Sequence, residues 1–167
     1  MKYLRNKYSF EFGRKPSLIL AITLLLPGLA PAQTTQTPDT AKTQPRAKAY
    51  AAVEMLTPDE GTDFSAYLTS VYLSVKREWL AQMPPSVEKG ERGIVQVEFR
   101  VQRDGKVPAD SVKLTTHSYK DELDRVARSA IQAAAPFNTL PSKFSQPFID
   151  LRMTFFYNID PSTIPRP

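Results

Sequence analysis

One stretch constrains this chain more than any other. From Ile94 to Val101 apolar and polar residues alternate without a break: Val95, Val97, Phe99 and Val101 point one way, and Gln96, Glu98, Arg100 and Gln102 the other. Alternation with period two is the mark of a strand with one buried face. Asp104-Gly105 follows at once; Asp tolerates a positive φ and Gly has no Cβ to oppose it, so the pair suits a hairpin turn. A second strand is expected to return through Val112, Leu114 and Thr116, with Ser111, Lys113 and Thr115 on its outer side. Such a hairpin carries an apolar face that must be covered, and the flanking segments read as its cover.

The C-terminal strand is the most emphatic. Ile149, Leu151, Met153, Phe155 and Tyr157 share one face, and Asp150, Arg152 and Thr154 the other. Two amphipathic helices are predicted. One, over residues 63–82, carries Phe64, Tyr67, Leu68, Val71, Tyr72, Val75, Trp79 and Leu80 at three- and four-residue spacing. Thr62 or Asp63 can cap it, and Pro84-Pro85 stops it. The other, over residues 119–134, buries Leu123, Val126, Ala127, Ala130, Ile131 and Ala134; Ser118 can cap it, and Asp121 and Glu122 suit its positive N-terminal end. Trp79 reads as a core anchor over the sheet. Helix, strand, strand, helix, strand, each with one apolar face, makes a two-layer α+β domain: a three-stranded sheet with both helices on one face. The last strand can lie parallel to the second or antiparallel to the first; periodicity alone leaves both open.

Around this core the chain reads as appendages. Residues 1–32 look like an export signal: a basic stretch ending at Arg14-Lys15, an apolar run from Leu18 to Leu26, the breaker Pro27-Gly28, and small residues at Ala30-Pro31-Ala32. The apolar run is about half of the ~20 residues that span a bilayer. Cleavage after Ala32 is expected, with an uncleaved short anchor as the alternative. Residues 33–52, rich in Gln, Thr, Pro, Ala and Lys, read as a disordered linker, because so little apolar surface cannot offset chain entropy. The domain then covers residues 53–160, opening on a short strand that starts at Val53, and a Pro-rich tail covers 161–167.

Charge excludes one function class. The formal net charge is +5, but Lys2, Arg5, Lys7, Arg14 and Lys15 against Glu11 supply most of it within the first 32 residues. The rest is nearly neutral, without the basic patch that nucleic-acid binding needs. There is no cysteine, and His117 is the one histidine, so neither a thiolate nor a His-based metal cluster can form. Ser111, Ser118, Asp110 and Asp121 lie near His117 in sequence, but no nucleophile-elbow, P-loop, dinucleotide or EF-hand signature accompanies them. The residues predict no enzyme, no cofactor and no metal.

The motifs carry a resemblance. Gly93, Val95, Val97, Phe99 and Val101, then Asp104-Gly105 and Val107, are similar to the GxVxVxFxIxxDGxV hairpin of the TonB/TolA C-terminal domains. Leu123 to Ala127 with Ala130-Ile131 resembles their second helix, and Pro136-Phe137, Leu140-Pro141 and Phe144 resemble the loop before their last strand. Gly61 to Phe64, with Tyr67-Leu68 and Trp79, resembles a branch of exported TonB-like proteins. The resemblance covers roughly residues 53–158. It implies an α-β-β-α-β domain with an antiparallel sheet, the first strand central and the third at an edge. It further implies a periplasmic module that captures an extended segment of an outer-membrane TonB-dependent transporter, or of another envelope protein, by strand addition. Carried over by position, the capturing edge is Ile149, Asp150, Leu151, Arg152, Met153, Thr154, Phe155, Phe156 and Tyr157. Unlike TonB, the chain has a short apolar segment without histidine and a brief linker. Two alternatives stand beside capture: an inner-membrane-anchored energy transducer for TonB-dependent transport, and a structural envelope protein that forms a homodimer through the same edge.

Overall fold

The computed structural model describes residues 47–164, all within one compact unit. The expected signal segment and most of the expected linker lie outside the described residues.

The alternating stretch forms β2 (Gly93–Gln102), with every second residue from Gly93 to Val101 buried. The C-terminal pattern forms β4 (Phe148–Tyr157), whose alternation of buried and half-buried side chains is unbroken. They pair antiparallel from Gly93 opposite Tyr157 to Gln102 opposite Phe148, which settles the orientation that periodicity left open. β3 (Lys113–Thr116) is short and joins the far side of β2 through a register shift at Gln96/Val97. It does not return directly from the Asp-Gly turn. Gly105, at φ +84, closes the turn by donating to the Gln102 carbonyl at 2.8 Å. The chain then passes through a 3-10 turn at Ala109–Ser111 before β3 begins. Gly105 is needed for space as well as for φ, since a Cβ there would collide with the Phe137 carbonyl.

α1 (Ser65–Ala81) and α3 (Asp121–Ala134) cover one face of the sheet, and α2 (Pro85–Glu88) is a single turn after the proline stop. The N-cap position of α1 is Phe64, which makes no side-chain cap bond; Asp63, one residue earlier, accepts from the Ser65 amide at 2.8 Å. α3 begins two residues later than the spacing predicts, because Tyr119 adopts φ +60 and cannot join the helix. Ser118 is tied to Asp124 instead: its amide and hydroxyl donate to Asp124 Oδ1 at 2.9 and 2.6 Å. The tail also departs from expectation, with a 3-10 turn at Pro161–Thr163 whose Ser162 amide donates to Asp160.

The largest correction concerns the sheet. Among the described residues it has four strands, not three, in the order β1-β4-β2-β3. β1 (Ala49–Met55) begins inside the expected linker, four residues before Val53, and lies antiparallel against β4. The last strand is therefore internal and not an edge.

Candidate functional site

The candidate site is the β1–β4 side of the sheet. On the helix side of β4, Ile149, Leu151, Met153, Phe155 and Tyr157 are completely buried. Trp79 anchors this layer as expected, packing edge-on against Phe155 and Tyr157 with ring centroids 5.2 and 5.1 Å away. Its indole Nε1 donates to Tyr157 Oη at 2.8 Å, and that hydroxyl donates to the Leu123 carbonyl at 3.1 Å. Burial raises the Tyr157 phenol pKa well above the ordinary tyrosine value. None of these five side chains can meet a partner without unfolding the core.

The other face of β4 is half-buried and ionic. Arg100 makes a two-pronged contact with Asp150, at 2.8 and 2.9 Å, and its guanidinium lies 3.6 Å from the Phe148 ring centroid. Arg152 binds Glu98 at 2.6 Å and reaches Glu54 of β1 at 3.3 Å. Each arginine is held by carboxylates across three strands, so no guanidinium on this face is left unpaired.

The two edges of β4's backbone are spoken for. The odd-numbered residues bond toward β2, as the Arg103 amide does to the Pro147 carbonyl where the ladder runs on past Gln102. The even-numbered residues bond toward β1: the Leu56 amide donates to the Asp150 carbonyl at 2.8 Å, and the Asn158 amide to the Lys48 carbonyl at 2.7 Å. Asn158, at φ 51, also fixes the end of the strand by donating its side-chain amide to the Val87 and Glu91 carbonyls. Residues 149–157 are thus brought together as one strand, as the spacing predicts, but the expected open edge is filled by β1.

The short strand expected from Val53 exists as β1, but its start at Ala49 and its pairing with β4 are what the sequence did not reveal. Its helix-facing residues are Ala49, Ala51, Val53 and Met55, opposite Tyr157, Phe155, Met153 and Leu151. Of these only Val53 is buried. The one signal available was the alternation of these small residues with Tyr50, Ala52 and Glu54, which alanine on both faces makes faint.

The residues considered for chemistry have structural work. His117 Nδ1 lies 3.2 Å from Asp124 Oδ2, within the same Asp124–Ser118 tie that fixes the loop before α3. Ser111 donates to the Pro108 carbonyl at 2.6 Å inside the 3-10 turn. Among the described residues no group of three or more His, Cys, Asp or Glu side chains is gathered to hold a metal, and no helix is long and apolar enough to cross a membrane.

Comparison with known proteins agrees with the hairpin, second helix and last strand. The TonB C-terminal family matches residues 64–155, which span α1 through most of β4 and leave β1 outside. No curated protein and no solved structure matches the chain. With more than half of its length matched, and the matched part folded as one sheet under two helices, the chain belongs to the TonB C-terminal family of envelope protein-interaction modules.

Proposed function

We propose that this is a periplasmic module that captures an extended segment of an outer-membrane transporter or another envelope partner by strand addition, the segment pairing with β4 in exchange for β1. The observation that carries this reading is β1 itself. It comes from outside the family-matched residues, yet it lies in full antiparallel register on β4 from Ala49 to Met55. It thus occupies the place an added strand would take. An incoming strand replaces its backbone bonds one for one, so side chains decide the exchange. β1 offers two alanines, a valine and a methionine to the core side, and of these only Val53 is buried. A partner with larger apolar residues at alternate positions gains about 0.8 kcal/mol for each further methylene it buries. It needs that gain, because a strand tethered to the same chain competes at an effective concentration on the order of mM. Selectivity would rest on the half-buried face, where Asp150, Arg152, Thr154 and Phe156 flank the incoming strand. Export through the N-terminal signal completes this reading.

The chain lacks cysteine, so a single disulfide can test it. Ala52 and Thr154 are cross-strand partners at a hydrogen-bonded position, where the Cα separation of about 5.5 Å suits a disulfide. In A52C/T154C, peptides copying the extended periplasmic segments of outer-membrane transporters should bind the reduced form at least about tenfold more tightly than the oxidised form. Equal binding in both states would rule out pairing with β4.

A further inference from the structure

If β4 is closed, the sheet still ends in two edges, and they differ. β3 spans four residues and joins β2 through a register shift, both of which blunt an edge. β1 spans seven residues with no proline, no register shift and a single charged residue, Glu54. Because its even-numbered backbone groups face β4, the N–H and C=O groups of Ala49, Ala51, Val53 and Met55 face outward. Among the described residues no strand lies beyond them. A long, flat, unblunted edge is a template for another strand.

We infer that the outer edge of β1 pairs antiparallel with β1 of a second copy of this chain, with Ala51 opposite Ala51 on a two-fold axis. Charge fixes this register. With Ala51 on the axis, Ala49 meets Val53 of the other copy as a hydrogen-bonded pair. Lys48 meets Glu54 as a non-hydrogen-bonded pair, where side chains come closest. Symmetry makes this ion pair twice. A slip to the next register that keeps the hydrogen bonds separates both pairs. Lys48 is exposed, and the Glu54 side chain is 58% exposed. Glu54 does contact Arg152, at 3.3 Å, but Arg152 makes its shorter bond to Glu98, at 2.6 Å. Asp160 is close enough to Lys48 to feel its charge. Both groups are therefore reachable, though neither is without a counter-ion in the monomer. The axis stands normal to the sheet, so the strands continue as one sheet with all the large helices on one side. A contact made by one pair of strands falls in the small-interface class, below roughly 1,200 Å², so the dimer is weak and concentration-dependent. This surface does not depend on partner capture at β4. The two are linked, since a segment that displaces β1 from β4 removes the dimer edge with it.

Sedimentation velocity of the full chain over a range of concentrations tests the inference. Wild type is expected to pass from monomer to dimer. Ala51→Pro should remain monomeric at concentrations where wild type dimerises, because its lost N–H faces outward and the β1–β4 ladder is spared. Lys48→Glu and Glu54→Lys each place like charges opposite one another across the axis and should weaken self-association at least about tenfold. Mixed in equal amounts they regain complementary pairs in the heterodimer and should associate as wild type does. A wild type that stays monomeric throughout, an Ala51→Pro chain that dimerises like wild type, or a mixture no better than its components would overturn the inference. The oxidised A52C/T154C form keeps β1 in place and should still dimerise, so loss of partner capture and loss of dimerisation are separate failures.

Discussion

β4 has two neighbours, and they hold it by different means. β2 and β1 both run antiparallel to it in continuous register. Along β2 the residues facing the helices are Val95, Val97, Phe99 and Val101, all buried. Along β1 the same positions carry Ala49, Ala51, Val53 and Met55, and Val53 alone is buried. Backbone bonding per residue is alike on the two sides, and its net worth is modest, because water competes for the same groups. Apolar burial differs between the two sides, and burial is what chiefly drives folding. The β2–β4 pair is thus welded into the core, while β1 is attached mainly by its backbone.

The largest expected effect tests the welded side. Phe99 is 2% exposed and lies across from Leu151. Phe99→Ala should cost about 3–5 kcal/mol, read as a lower urea midpoint for the whole domain. Val53→Ala, the matching change on β1, should cost only about 1–2 kcal/mol for the methyl groups it removes. Similar costs for the two would erase the distinction between the neighbours.

A middle-sized effect tests what anchors β4 beneath both of them. Tyr157→Phe leaves the Trp79 indole N–H without its acceptor and the Leu123 carbonyl without its side-chain donor, a loss of about 1–3 kcal/mol at neutral pH. The loss should shrink in alkali. Burial raises the Tyr157 phenol, and it pushes Tyr67 up to about 12. An unfolded tyrosine titrates near 10. Below that value both states keep the proton and these two groups add no pH dependence. Above it the unfolded chain releases protons that the fold retains, so wild-type stability falls as pH rises from about 10 toward 12. Tyr157→Phe lacks one of these groups and should fall less steeply. Urea midpoints at pH 8 and pH 11 for both chains would show it, and parallel falls would mean that Tyr157 is not held protonated by the fold.

The same contrast explains what can be read from sequence. β2, β4, α1 and α3 carry their own patterns, with branched and aromatic residues repeating at two, or at three and four, so each element announces its buried face. Trp79 can be placed in the core for the same reason. β1 has no such signature: Ala49, Ala51 and Ala52 say little about which face is inside, and the preceding Thr, Gln and Pro residues favour a linker. Its strand form comes from the exposed backbone edge of β4, a tertiary cause that no local window contains. A short strand from Val53 can be expected, but with its first four residues and its pairing unseen, the β4 edge looks open and residues 149–157 fall at the border of the sheet. The start of α3 is hidden in the same way on a smaller scale, since nothing in Tyr119 signals the positive φ it adopts.

The smallest effect on global stability is also the most discriminating. The Ala52 amide points toward Thr154 on β4, so Ala52→Pro removes a ladder bond and loosens β1, which is attached mainly by its backbone. Local opening should then separate from global unfolding. The amides of Arg152, Thr154 and Phe156, which face β1, should lose protection against hydrogen exchange. Those of Leu151, Met153 and Phe155, which face β2, should keep it. The urea midpoint should move little. If odd and even amides along β4 lose protection together, β1 unfolds only with the whole domain, and an incoming strand could reach β4 only by unfolding all of it. Alternating protection along a single strand would mean that β1 opens while β2 holds, which is the physical condition for exchange at this site.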